Sequence, residues 1–154
     1  MSDELTEFSG DVLLVSTPDS GDIVLRDGLI APCRNFDTAA YLSLFGGNRG
    51  DADGRPKETW WGNLIPGTER DEWMQSEFGA TVEGRALTAA TLRQAAQAAE
   101  RDLAWIKDDA GADDIAVRLA AESSRRVELA VDITQDGQSA GGGNYEFQWQ
   151  EAVR

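Results

Sequence analysis

With 28 Asp and Glu side chains, the chain can offer the paired carboxylates that act as acid and nucleophile in glycoside hydrolysis. Any acidic protein offers such pairs, so the pattern has no specificity of its own. Histidine is absent, which removes Ser-His-Asp and Cys-His nucleophilic catalysis together with the commonest zinc ligand, and Cys33 stands alone. Asp51, Asp53 and Gly54 match the third, fifth and sixth positions of a calcium loop. Its first and twelfth positions would then be Arg49 and Trp60, so the acidic ends are missing and a solvated turn is the better reading. Gly141-Gly142-Gly143 lacks the Lys-Ser/Thr of a phosphate loop and precedes a strand, which predicts a flexible hairpin tip. No catalytic residue, metal ligand or cofactor site is assigned.

Trp60 and Trp61 are adjacent within Glu58–Asn63, in a region rich in glycine and charge. Such rings can anchor a loop on a core, contact a protein partner, or stack on a base or sugar. Base stacking usually travels with basic residues, and this chain carries 14 Lys and Arg against 28 acids, a formal net charge of -14. That surface repels nucleic-acid phosphates and anionic lipid heads, so neither nucleic acid nor membrane is an expected partner. The basic pair Arg125-Arg126 falls where a turn is expected and reads as solvated charge.

A single cysteine excludes an internal disulfide and fits a reducing compartment, most simply the cytoplasm. The acidic start MSDELTEFSG reads as neither signal peptide nor anchor, and no apolar run is long enough to cross a membrane as a helix.

The elements that must position these residues are written in the hydrophobic periods. Residues 11–32 read as two or three short strands, with Asp27-Gly28 as a tight hairpin turn. A helix is predicted over about 36–45, from Phe36, Ala40, Tyr41, Leu44 and Phe45, ended by Gly46-Gly47 in a left-handed cap. From Gly46 to Gln75 no period holds, yet three of the five tryptophans lie there, which argues against disorder. A long helix is predicted from Thr88 or Thr91 to about Asp109, with Leu92, Ala96, Ala99, Leu103 and Ile106 as its apolar stripe and Thr91 to Gln94 as a capping box. Three alternating runs follow, Ile115-Val117-Leu119, Val127-Leu129-Val131-Ile133 and Tyr145-Phe147-Trp149.

The expected fold is therefore α+β: a small antiparallel meander covered by the long helix, with a second short helix and a β-rich N-terminal arm. The arm is placed at residues 1–34. The compact domain spans 35–154 and includes the irregular loop 46–75.

In this order, Ser43-Leu44-Phe45, Trp60-Trp61-Gly62-Asn63 and Leu103-Ala104-Trp105-Ile106 resemble the baseplate proteins of Mu-like contractile-tailed phages, within the wider sheath-initiator or wedge family. The resemblance covers roughly residues 22–150. It departs at the end of the long helix, where the wider family often has Glu-Pro-Arg and this chain reads Lys107-Asp108-Asp109-Ala110-Gly111-Ala112. It implies a structural, non-enzymatic protein of the virion tail baseplate, assembled in the host cytoplasm and present in several copies in a six-fold assembly. The implied partners are other wedge subunits and the tail sheath protein, whose extended arms would add to the small sheet and start sheath polymerisation. The implied partner contacts are Trp60, Trp61, Gly62 and Asn63, and the terminal strand with Tyr145, Phe147 and Trp149. The competing expectation is a cell-wall glycosidase using an acidic pair.

Overall fold

The computed structural model describes residues 11–16, 21–33, 35–46, 65–67, 76–82 and 85–149. The expected α+β class is observed. Three strands, β7 (Asp114–Ala121), β8 (Arg126–Gln135) and β9 (Gln138–Gln148), form an antiparallel meander in the order β7-β8-β9. The helix α3 (Ala89–Asp108) covers one face. Two shorter helices, α1 (Asp37–Phe45) and α2 (Glu77–Val82), pack beside it.

Alternation decides the two faces of the sheet. Val127, Leu129, Val131 and Ile133 point into the core, where they meet Ala95, Ala98, Ala99, Leu103 and Ile106 of α3. The alanines let the helix approach the flat sheet closely, and each large buried side chain adds about 1.5–3 kcal/mol. Leu92 and Ala96, expected in the stripe, are only partly buried. Of the two expected starts, α3 takes Thr88 as its cap. The Thr88 hydroxyl accepts from the Thr91 amide at 3.1 Å and the Thr91 hydroxyl accepts from the Thr88 amide at 2.8 Å. This reciprocal pair replaces the expected Thr91–Gln94 box, and Gly111 follows the helix at φ +84.

The flexible hairpin tip expected at Gly141-Gly142-Gly143 is not observed. Asp136 and Gly137, both at positive φ, form a two-residue turn of the primed type, whose twist matches the strands. Gly141, Gly142 and Gly143 then run inside β9, opposite Ile133, Asp132 and Val131. A residue without a side chain contributes nothing to an alternating pattern, so hydropathy does not signal this part of the strand. Their role is close approach: a Cβ on Gly141 would meet the Phe36 backbone at 2.8 Å, and one on Gly142 would strike the Val131 carbonyl. A register shift between Ile133 and Thr134 leaves Ala140 as the extra residue of β9, and its carbonyl accepts the Phe36 amide at 2.9 Å. The bulge thus fixes the start of α1 on the sheet.

Gly46 ends α1 in right-handed rather than left-handed geometry, φ -86 and ψ -10, with its amide donating to the Leu42 carbonyl at 2.8 Å. No hydrophobic period signals α2, which is too short to show one.

Among the described residues the arm holds six short strands, β1 (Asp11–Val12), β2 (Leu14–Ser16), β3 (Gly21–Ile23), β4 (Leu25–Arg26), β5 (Leu29–Ile30) and β6 (Pro32–Cys33), paired β1-β6, β2-β3 and β4-β5. The Asp27-Gly28 turn is present as expected, both residues at positive φ. The strands exchange partners at a junction where Leu13 donates to Ala31, Val24 to Leu13 and Ala31 to Val24. Thr38 of α1 bolts this junction to the domain: its hydroxyl donates to the Val12 carbonyl and accepts the Leu14 amide.

Candidate interaction surface

The sequence-assigned contact residues separate into two groups. Trp60, Trp61, Gly62 and Asn63 lie outside the described residues, as does nearly all of the 46–75 segment. Tyr145, Phe147 and Trp149 are described, and their side chains point inward. Tyr145 and Trp149 are buried and Phe147 packs against the core cluster. The Trp149 indole donates to the Arg85 carbonyl at 2.7 Å, tying the end of β9 to the segment before α3. Phe147 meets Phe78 edge-on with ring centroids 5.6 Å apart, and Tyr145 meets Phe45 at 5.3 Å. Burial pushes the Tyr145 phenol above its ordinary range, helped by Asp37 and Tyr41, so it stays neutral. What β9 leaves for a neighbour is its backbone and its opposite face.

Strand edges offer a more general surface. The Glu122 amide donates to the Arg126 carbonyl at 2.9 Å, and the β7-β8 ladder continues from there without a shift. Even-numbered residues of β7 therefore exchange bonds with β8, and the amides and carbonyls of Ile115, Val117, Leu119 and Ala121 point away from it. No strand pairs with them among the described residues. The Trp149 amide donates to Arg125 at 2.7 Å, which by the same alternation turns the even-numbered residues of β9 outward. Of these, Ala140 is already taken by Phe36. That leaves Gly142, Asn144, Glu146 and Gln148 on β9, as many outward residues as β7 offers, but among the described residues only the β7 edge carries no backbone bond to another element. It was not legible in the sequence, because hydropathy reports faces and not which strand ends a sheet.

The face of the sheet away from α3 bears Ala116, Arg118, Ala130, Asp132, Asn144 and Glu146. Glu122, Glu128 and Glu146 bring carboxylate oxygens within 4.8 Å of one another on this side. Glu128 and Glu146 are direct cross-strand partners. These three acids stand exposed or half-exposed on a strand surface. Among the described residues no cation pairs with them. Arg125 and Arg126 border a shallow recess with Glu122, Ser123 and Gln148, and both are exposed, in line with solvated turn charge.

Apolar surface is also left uncovered. Leu25 and Leu29 of the β4-β5 hairpin are 63% and 74% exposed, with Ile30 beside them. On α3, the exposed Trp105 ring is held by its indole N–H, which donates to the Ser43 hydroxyl at 2.9 Å. Both residues belong to motifs that carry the family resemblance. Among the described residues no helix is long and apolar enough to cross a membrane.

A family model described as phage protein GP46 matches residues 36–140, well over half of the chain, leaving the arm outside the match. No curated protein and no solved structure matches.

Proposed function

The chain belongs to the phage protein GP46 family, and on that premise we propose that it is a non-enzymatic structural component of a contractile tail baseplate, joining the wedge to the first sheath ring. The observation that carries this reading is the edge of β7, which no strand pairs among the described residues, on a sheet whose inner face is covered by helices. An extended segment of a sheath subunit adds to such an edge through main-chain hydrogen bonds, with alternate side chains setting its register. The motifs Ser43-Leu44-Phe45 and Leu103-Ala104-Trp105-Ile106 support the same assignment, and two of their residues, Ser43 and Trp105, meet at the α1-α3 contact. With a net charge of -14, the chain calls for wedge and sheath partners that bring positive charge to the contact.

The test is co-expression with the wedge and sheath subunits of the same phage. A stable complex that protects β7 amides from hydrogen exchange is the expected result. No complex, together with peptidoglycan cleavage by the folded protein alone, would overturn it. An image of the assembled tail should place the chain between wedge and sheath.

A further inference from the structure

The outer edge of β7 is self-complementary, and we infer that two free copies of this chain pair through it, antiparallel, about a two-fold axis at Ala116. The geometry restricts the possible registers. Outward hydrogen-bonding groups sit on Ile115, Val117, Leu119 and Ala121, so a second β7 must bring odd-numbered residues against odd-numbered ones. Centred on Ala116, Ile115 exchanges bonds with Val117 of the second copy. Asp114 then lies directly opposite Arg118 of the second copy, and the symmetry repeats that opposite-charge pair. Both side chains are exposed and neither takes part in the core; Asp114 also lies 4.0 Å from the Lys107 ammonium of α3, an exposed pair that leaves its second carboxylate oxygen for Arg118 of the second copy.

The neighbouring registers are poorer. Centred on Val117, Asp114 and Arg118 face alanines. Centred on Arg118, that arginine faces its own copy and Asp114 faces Glu122, giving only like-charge encounters. Opposite charges directly across a strand pair stabilise it and like charges destabilise it, so the ladder selects Ala116 as the centre. The edge also lacks the usual guards against pairing. Across eight residues it has no proline and no shift in its ladder with β8, and Arg118 is its sole interior charge. Half-buried Ile115, Val117 and Leu119 would continue the apolar layer into the second copy.

This inference stands on the edge alone; a monomer would overturn it and leave the tail assignment untouched. In the tail, a sheath segment would take the place of the second copy. Sedimentation equilibrium of the full chain, at about 0.15 M salt so that repulsion between two copies is screened beyond roughly 8 Å, is the measurement. The expected species is a dimer. Arg118→Asp or Asp114→Arg alone turns two attractive pairs into two repulsive ones and should weaken association by on the order of tenfold or more. Asp114→Arg with Arg118→Asp exchanges the charges and should restore the dimer. A monomer at millimolar concentration, a dimer indifferent to the single reversals, or a double reversal that fails to restore association would each overturn it. Arg118→Asp should melt like the parent, whereas the two variants carrying Asp114→Arg also lose the exposed Lys107 pair and should melt only slightly lower.

Discussion

The carboxylate of Asp102 on α3 accepts the Phe78 amide at 2.8 Å, and its second oxygen accepts the Glu77 amide at 3.0 Å. One side chain thereby caps α2 from another helix, and Ser76 adds a hydroxyl bond to the Leu44 carbonyl at 2.6 Å. The clamp holds Phe78, which is fully buried against Phe45 and Phe147. It also closes the base of the long Trp-bearing segment, since Leu44 precedes that segment and Ser76 follows it.

Burial raises the Asp102 carboxyl from 3.8 to about 6, despite the two amides and Arg101, which pull it down. A raised folded-state value means that the folded chain binds this proton more tightly than the unfolded chain. The resulting contribution to stability is complete below about pH 4 and is lost as pH rises through 6. Asp102→Asn removes that step. Relative to the variant, the parent should gain on the order of 1–2 kcal/mol between pH 7 and pH 4, after allowing for the solvent that reaches Asp102. Urea unfolding of both proteins across this range checks it, and parallel pH profiles would sink the assignment.

The glycines of β9 give a second expectation. Gly142 has φ +113 and its missing Cβ would run into the Val131 carbonyl, part of the ladder that the sheet cannot yield. Gly142→Ala should cost about 3 kcal/mol or more, from strain and overpacking together. Gly137→Ala, at φ +72 with open space around it, should cost about 1–2 kcal/mol for the left-handed conformation alone. Equal losses in thermal denaturation would contradict the close-approach role.

Much of this fold was legible because long periodic runs report burial well. The three strands, α1 and α3 follow from residues such as Leu103, Leu129 and Tyr145, which recur at the proper spacing and are buried. The misses have physical causes. Six residues make less than two turns, so α2 is specified by the remote Asp102 and not by its own pattern. The glycine run is silent in hydropathy although it carries the tightest packing on β9. The arm is correct in kind but divided more finely, because the junction at Leu13, Val24 and Ala31 switches partners within continuous runs. Of the candidate site, periodicity places the aromatic residues of β9 on their strand, but their rings lie in the core, and the free edge of β7 depends on sheet order.

Thr38 links the arm to the domain and supplies a third prediction. Its buried hydroxyl serves both Val12 and Leu14, and valine keeps the volume while removing both bonds. Thr38→Val should cost about 1–3 kcal/mol locally, because a partly buried amide and carbonyl lose their partner. Hydrogen exchange should quicken over residues 11–33 and stay unchanged in α3 and β8. Uniform acceleration would mean that the arm and the domain unfold as one unit.

Adjacent residues on β9 should respond with opposite signs, because they occupy opposite faces of one sheet. Phe147 points inward, where Phe78 and Phe45 contact it edge-on. Phe147→Ala therefore removes ring contacts and leaves a cavity, at a cost of about 3 kcal/mol. Glu146 points outward, directly across from Glu128 and close to Glu122, with no cation paired to them among the described residues. Glu146→Gln removes one member of a like-charge pair and should stabilise the free domain by about 0.2–1 kcal/mol. Added salt should shrink the gain from Glu146→Gln and leave the Phe147→Ala loss nearly unchanged, since screening acts on exposed charge and not on packing. Urea denaturation at low and high salt separates the two. A Glu146→Gln variant less stable than its parent would show that these carboxylates make a favourable contact and are not held together against repulsion.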